Sequence, residues 1–173
     1  MAKCDYCGTT ILFGGRRQGD LRFCNDRCQK GGALISISRQ VPESLVQQKT
    51  REIHRGPCPK CGGPGPVDVH TSYRVWSALF VTSWNSRPQM SCRSCGVKAQ
   101  LVDAGFSLAL GWWGFPWGVV VTPIQIGRNL FGAASGPDPL QPSASLEKAV
   151  RIRIASQAVA AAQAAQKSAS PAG

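Results

Sequence analysis

Apolar and polar positions are unevenly distributed along this chain. From Ala104 to Gly127 no charged side chain occurs, whereas the first sixty or so positions mix short apolar groups with Lys, Arg, Asp and Gln. Pro42 to Ile53 sets Leu45, Val46, Lys49 and Ile53 behind a proline suited to a first helical turn, which predicts a short helix with one modestly apolar side. Val67 to Trp76 is rich in β-branched and aromatic residues and predicts a strand. Residues 101–131 divide into two apolar arms, 101–111 and 119–131, around Gly111, Gly114, Pro116 and Gly118. These residues would break a continuous helix where an unpaired peptide group facing lipid costs several kcal/mol, so the pattern predicts a helical hairpin. Residues 132–145 turn to Gly, Ser and Pro as a linker does. Ser145 to Ser168 is rich in Ala and Gln and predicts a solvated helix.

Composition argues against one continuous core. The chain is 43% hydrophobic, but 19 Gly and 12 Pro interrupt it, and small modules of that kind need stabilisation beyond burial. Because eight cysteines fall in four close pairs, a metal-ligand pattern, the expected fold class is α+β, with small zinc-stabilised modules followed by an apolar helical hairpin and a C-terminal Ala-rich helix. The expected division is a finger at 1–40, a spacer helix at 41–57, a second zinc module at 58–100, the apolar hairpin at 101–131, and linker plus helical tail at 132–173.

All eight cysteines occur as close pairs: Cys4/Cys7, Cys24/Cys28, Cys58/Cys61 and Cys92/Cys95. The stretch from Met1 to Cys7 carries a lysine and two cysteines where a secretory signal needs an apolar run, so a reducing, cytoplasmic setting is expected. There, paired cysteines read as metal ligands rather than a disulfide framework, and two sets of four imply two zinc ions.

In the first set, Cys4-x2-Cys7 followed by Gly8 makes a tight knuckle that aims two thiolates at one ion. Thr9 to Phe13 and Leu21 to Phe23 are expected to form a hairpin. Cys24 and Cys28 then fall near the first turn of a helix, with Asn25 or Asp26 available as cap. Knuckle, hairpin and helix describe a treble clef, and with Phe23 before the third cysteine the first 35 or so residues resemble zinc fingers of the TRASH and MYM type. That resemblance implies metal handling and protein contacts rather than catalysis.

In the second set, Cys58-Pro59-Lys60-Cys61-Gly62 and Cys92-Arg93-Ser94-Cys95-Gly96 look like two matching knuckles, the pattern of a zinc ribbon, with Val67 to Trp84 supplying an extended hairpin or an insertion. With eight thiolates forming two full sets, His54 and His70 read as bystanders. Four thiolates saturate each ion and leave no position for a reacting water. No phosphate-binding Gly loop and no Ser, Cys or carboxylate catalytic set stands out, and the chain is expected not to be an enzyme.

Trp112, Trp113 and Trp117 sit at the centre of the apolar segment, and tryptophan favours the headgroup boundary of a bilayer. A shallow hairpin dipping into one leaflet fits better than a straight span, with Arg93, Lys98 and Arg128 placed to meet lipid phosphates. Packing of the same tryptophans on the second zinc module is the alternative. Residues 58–131, with Gly-Trp-Trp-Gly-Phe-Pro-Trp-Gly after a cysteine knuckle, resemble uncharacterised small membrane-associated proteins that join a zinc ribbon to a hydrophobic hairpin; that group implies no activity. Thr122 and Gln125 in the second arm depart from a pattern suited to full crossing.

The net charge of +11 suits nucleic acid or an anionic membrane equally. The leading expectation is therefore a non-enzymatic zinc protein held at a cytosolic membrane face by lipid contacts, where it binds a protein partner. A nucleic-acid-binding protein using Arg16, Arg17, Arg22 and Arg27 is the second reading, and a metal sensor or zinc-delivery protein the third.

Overall fold

Glycine-rich turns and the four cysteine pairs divide the polypeptide into short elements. The computed structural model describes residues 2–8, 10–11, 14–79 and 81–169, which fall into two units, Met1–Thr50 with Glu147–Gly173, and Arg51–Leu146.

The first unit begins with β1 (Ala2–Lys3) and β2 (Thr10–Ile11), paired antiparallel, then β3 (Arg16–Gln18) and β4 (Leu21–Phe23), also antiparallel. Leu21–Phe23 therefore pairs with Arg16–Gln18, not with the segment 9–13 expected from the sequence. Of that segment Thr9, Leu12 and Phe13 lie outside the described residues. The physical reason is the two-residue turn Gly19-Asp20, which returns the chain at once, with Gln18 opposite Leu21. Helix α1 (Asp26–Lys30), α2 (Ala33–Ser38) and α3 (Glu43–Arg55) follow. The cluster around the first four cysteines holds Cys4, Phe23, Cys28 and Ile35, with Tyr6, Ile11 and Leu21 against it. So small a cluster does little to offset the entropy of ordering the finger, which leaves the four sulfurs to hold it.

The second unit is a β-hairpin with a helical hairpin beside it. Strands β5 (Val67–Ala78) and β6 (Val81–Cys92) pair antiparallel from Val67 opposite Cys92 to Ala78 opposite Val81. Helix α4 (Arg93–Leu110) leaves β6 directly, and α5 (Trp117–Ala134) returns after the turn at 111–116. This is the helical hairpin expected from the apolar arms. The two helices pack on each other and, of the two strands, chiefly on β5. The last helix, α6 (Ala144–Ala169), realises the expected Ala-rich helix.

The helical hairpin is built with its polarity reversed. Its buried positions include Gln100, Asp103, Ser107, Thr122, Gln125 and Asn129, while Leu101, Val102, Leu108, Val119, Val120, Ile124, Leu130 and Phe131 are exposed. The free edge of β5 explains the inward polar stripe, because its peptide groups need partners. Asn129 accepts from the Tyr73 amide at 2.8 Å and donates to the Tyr73 carbonyl at 2.6 Å. Ser107 Oγ accepts from the Val75 amide at 3.0 Å, and Gln100 Nε2 donates to the Thr71 carbonyl at 3.1 Å. Side chains thus take the place of a third strand. Asp103 is also used inwardly, accepting from Arg74 Nε at 2.7 Å.

At the far turn, Leu79 bridges to Gly114, and the Phe115 amide donates to the Leu79 carbonyl at 3.1 Å, tying the two hairpin turns together. Trp112, Trp113, Phe115 and Trp117 surround this junction and are exposed, Trp113 at 70%. They do not form a buried core against the zinc module. No described helix is long and apolar enough to cross a membrane.

Candidate metal centres

The first knuckle closes through the Gly8 amide, which donates to the Cys4 carbonyl at 2.8 Å; Gly8 has φ +76°, a conformation open to glycine. Asp5 ties the knuckle to β4 twice, its amide reaching the Arg22 carbonyl at 2.8 Å and its carboxylate accepting from the Arg22 amide at 2.6 Å. Cys24 lies just past β4 and Cys28 in α1. The cap is Asn25, whose Oδ1 accepts from the Cys28 amide at 2.9 Å and so fixes the turn that carries the fourth sulfur. Cys4, Cys7, Cys24 and Cys28 then stand with all sulfurs within 4.8 Å of one another.

The second knuckle has the same closure: the Gly62 amide donates to the Cys58 carbonyl at 2.8 Å, and the Cys58 amide to the Gly63 carbonyl at 2.8 Å. The matching partner expected at Cys92-x2-Cys95 is not a knuckle. Cys92 ends β6 and Cys95 lies in the first turn of α4. The helix starts there because good helix formers follow, and because Gly96 permits a close approach: a Cβ on it would lie 2.2 Å from His70 Cγ. The second centre is thus assembled from a knuckle, a long hairpin and a helix start, and its four sulfurs also lie within 4.8 Å of one another.

Both sets fit zinc. A tetrahedral ion with Zn–S of about 2.3 Å needs sulfurs about 3.8 Å apart, and the measured separations are 3.6 Å for Cys7–Cys24, 3.4 Å for Cys24–Cys28 and 3.8 Å for Cys61–Cys92. Backbone amides point at the sulfurs, as second-sphere donors to thiolates do: Cys24 to Cys4 Sγ at 3.4 Å, Lys60 to Cys58 Sγ at 3.4 Å and Cys92 to Cys58 Sγ at 3.2 Å.

Electrostatics without a cation lead to the same conclusion. Hydrogen bonds from Cys24, then Cys28 and Cys7, hold the Cys4 thiol far below its usual range, while Cys28 is pushed well up by Cys24 and Cys4. Burial opposes ionisation of Cys58, but the Cys92, Lys60 and Cys61 amides outweigh it and hold the thiol at about 6. Cys95 is pushed up to about 12 by Cys61 and Cys92. Thiols this close together cannot all ionise without a cation to offset their mutual repulsion, and a divalent ion supplies that. Each group of four cysteines is able to bind one zinc ion, giving two per chain.

His54 and His70 stand outside both sulfur clusters. His54 Nδ1 lies 3.0 Å from the Val67 carbonyl and Nε2 3.3 Å from the Pro139 carbonyl, which anchors the 136–143 segment to the start of β5. Asp68 completes that anchor, accepting from the Ser143 amide at 2.9 Å and its hydroxyl at 2.5 Å. Sequence reading missed this anchor, and no spacing signal marks it.

Comparison of the chain with family models, with curated proteins and with solved structures finds no match in any of the three. The two four-cysteine centres are consistent with zinc-finger-like modules on geometry alone.

Proposed function

We propose that this is a non-enzymatic zinc protein, associated with a membrane through its helical hairpin, that presents its N-terminal module to a protein partner. The observation that carries this reading is the reversed polarity of α4 and α5, with amide and hydroxyl side chains buried and Leu, Val, Ile, Phe and Trp outside. In water such an outer surface is unfavourable, and an exposed apolar face of this kind marks an interaction surface. Against lipid it is favourable, and the inward capping of β5 removes the unpaired peptide groups that lipid would penalise.

The depth of insertion follows from the remaining edge. Among the described residues no strand pairs with the outer edge of β6, and its Ser83, Asn85, Arg87 and Pro88 are exposed and suit water. The α4/α5 face and the tryptophan turn therefore enter one leaflet, to about 5–10 Å, as interfacial helices do. The N-terminal resemblance to TRASH and MYM fingers supports a protein-contact role for the first module, and two saturated zinc sites support a structural rather than hydrolytic metal.

The test is flotation of zinc-loaded protein with phospholipid vesicles. Wild type should rise with the lipid, and the variant with Trp112→Ser, Trp113→Ser and Trp117→Ser should stay behind while retaining both ions. Wild type that remains monomeric without detergent and never floats would remove the membrane reading.

One observation favours a second reading for the first unit alone. Arg17 and Arg22 stand directly opposite each other on β3 and β4, a like-charge pair that destabilises the hairpin unless an anion neutralises it. A nucleic acid is one such anion, and salt-dependent binding of RNA or DNA, lost in Arg17→Gln/Arg22→Gln, would support it.

A further inference from the structure

The second unit contains an open cavity of about 410 Å³ whose lining includes none of the cysteines. Its wall includes Tyr73 and His70 of β5, Gln100 of α4, Arg128 and Phe131 of α5, and Ser143. Three features of this wall point to one ligand chemistry.

The first is charge. Arg128 is the one charged side chain in the lining among the described residues, and its guanidinium lies 3.8 Å over the Tyr73 ring instead of against a carboxylate. Burial, the largest influence on His70, holds it below its ordinary range, so it faces the cavity as neutral imidazole. The Asp68 carboxylate behind Ser143 is already engaged by that residue's amide and hydroxyl.

The second is an unmet acceptor. Gln100 is buried to 3% exposure; its Nε2 is spent on the Thr71 carbonyl, and its Oε1 has no partner. A buried amide oxygen left bare costs about 1–3 kcal/mol, which a ligand bringing an N–H or O–H group would recover. An anion alone cannot satisfy it.

The third is position. Phe131 lines the cavity and is also among the most exposed apolar groups of the outer hairpin face, at 72%. The cavity therefore adjoins the surface assigned to lipid, where acyl chains would lie against Phe131 and a headgroup beside Arg128.

We propose that this cavity binds the headgroup of a phospholipid, a phosphodiester carrying a hydrogen-bond donor, with the phosphate on Arg128 and the donor on Gln100 Oε1. The assignment rests on the membrane reading above. Phosphatidylethanolamine fits this chemistry and phosphatidylcholine, which has no N–H, does not, although the two carry the same net charge.

Flotation of the zinc-loaded full chain with vesicles of phosphatidylcholine alone, and with vesicles in which part of it is replaced by phosphatidylethanolamine, reads out this difference. Wild type should partition about tenfold more strongly onto the mixed vesicles, about 1.4 kcal/mol. Arg128→Gln should lose that gain while keeping both zinc ions, and Arg128→Lys should keep part of it. Looser packing of mixed vesicles would favour every variant alike, so the readout is the difference between wild type and Arg128→Gln. Equal wild-type binding to both vesicles, or an undiminished gain in Arg128→Gln, overturns the headgroup site and leaves the membrane reading standing. Failure to float on either vesicle overturns both. Calorimetric binding of inorganic phosphate by lipid-free protein, abolished in Arg128→Gln and without any lipid preference, would assign the cavity to a soluble phosphate and overturn the lipid source.

Discussion

Asn129→Leu tests the inverted packing of the second unit, because two lines of physical reasoning give it opposite signs. Asn129 is fully buried. On the ordinary rule that helix interiors favour apolar groups, burying a leucine there stabilises by about 1.5–3 kcal/mol. The structure adds a larger opposing contribution: the part-buried Tyr73 amide and carbonyl both lose their partner, with a leucine side chain against them in place of water, at about 1–3 kcal/mol each. The balance is a net loss of about 1–3 kcal/mol, a substantial fraction of the ~5–15 kcal/mol that holds a domain. All five tryptophans lie between Trp76 and Trp117, so their fluorescence in a urea titration reports the second unit alone. Amide exchange at Tyr73 gives the local reading and should accelerate about tenfold or more. A variant as stable as wild type, with Tyr73 exchange unchanged, would show that α5 does not cap the edge of β5.

Replacing Cys58 by Ser removes a sulfur that accepts two backbone amides, and native mass spectrometry should find one zinc ion with the Cys4 set still loaded; loss of both ions would show that the centres are cooperative. Gly96→Ala drives a methyl group into His70 and should destabilise the second unit by about 1–3 kcal/mol in the same urea titration, an unchanged midpoint counting against the close approach. Glu43 is held below its usual carboxylate range by hydrogen bonding to Arg151, so the stability it lends the first unit is present above about pH 4.5 and is lost as pH falls through its lowered value. Acid titration of helical circular dichroism should show this acid-side loss in wild type, with the contribution already missing in Arg151→Gln; identical curves for the two proteins would refute it.

The metal centres were legible because thiolate spacing is chemically restrictive: two residues between cysteines make a knuckle, and three place the sulfurs a helical turn apart. The α3 helix was legible from Pro42 and its apolar side, and the helical hairpin from the glycines and proline that split it. Strand β6 was not. Ser83, Asn85, Ser86 and Pro88 give it no alternation, and it is extended because its partner β5 and the cysteines at its end hold it so. The inward face of α4 and α5 was hidden for a different reason. Thr122 and Gln125 look like isolated departures from an apolar run, and only the unpaired edge of β5 shows that they belong to the buried side. Cys92 and Cys95 were recognisable as ligands but not as the start of a helix, since a knuckle and a helical first turn space two cysteines alike.

The position of Cys92 has a consequence for strand alignment. A β-strand slipped by one residue turns every side chain to the opposite face, and strands are normally guarded against this by an apolar side that must stay buried. Strand β6 lacks that safeguard, yet its last residue faces Val67 and donates its amide to the Cys58 sulfur, which the knuckle fixes in place. The zinc ion therefore acts as a pin at one end of a ladder whose other end is fastened where Leu79 meets Gly114. With the turn end held by that bridge, loss of the metal would release the Cys92 end of β6 from Val67, while the pairs near the turn, Ala78 with Val81 among them, keep their places. An ion bound by the Cys58 set would thus decide whether the last residues of β6 keep the partners that the turn gives them.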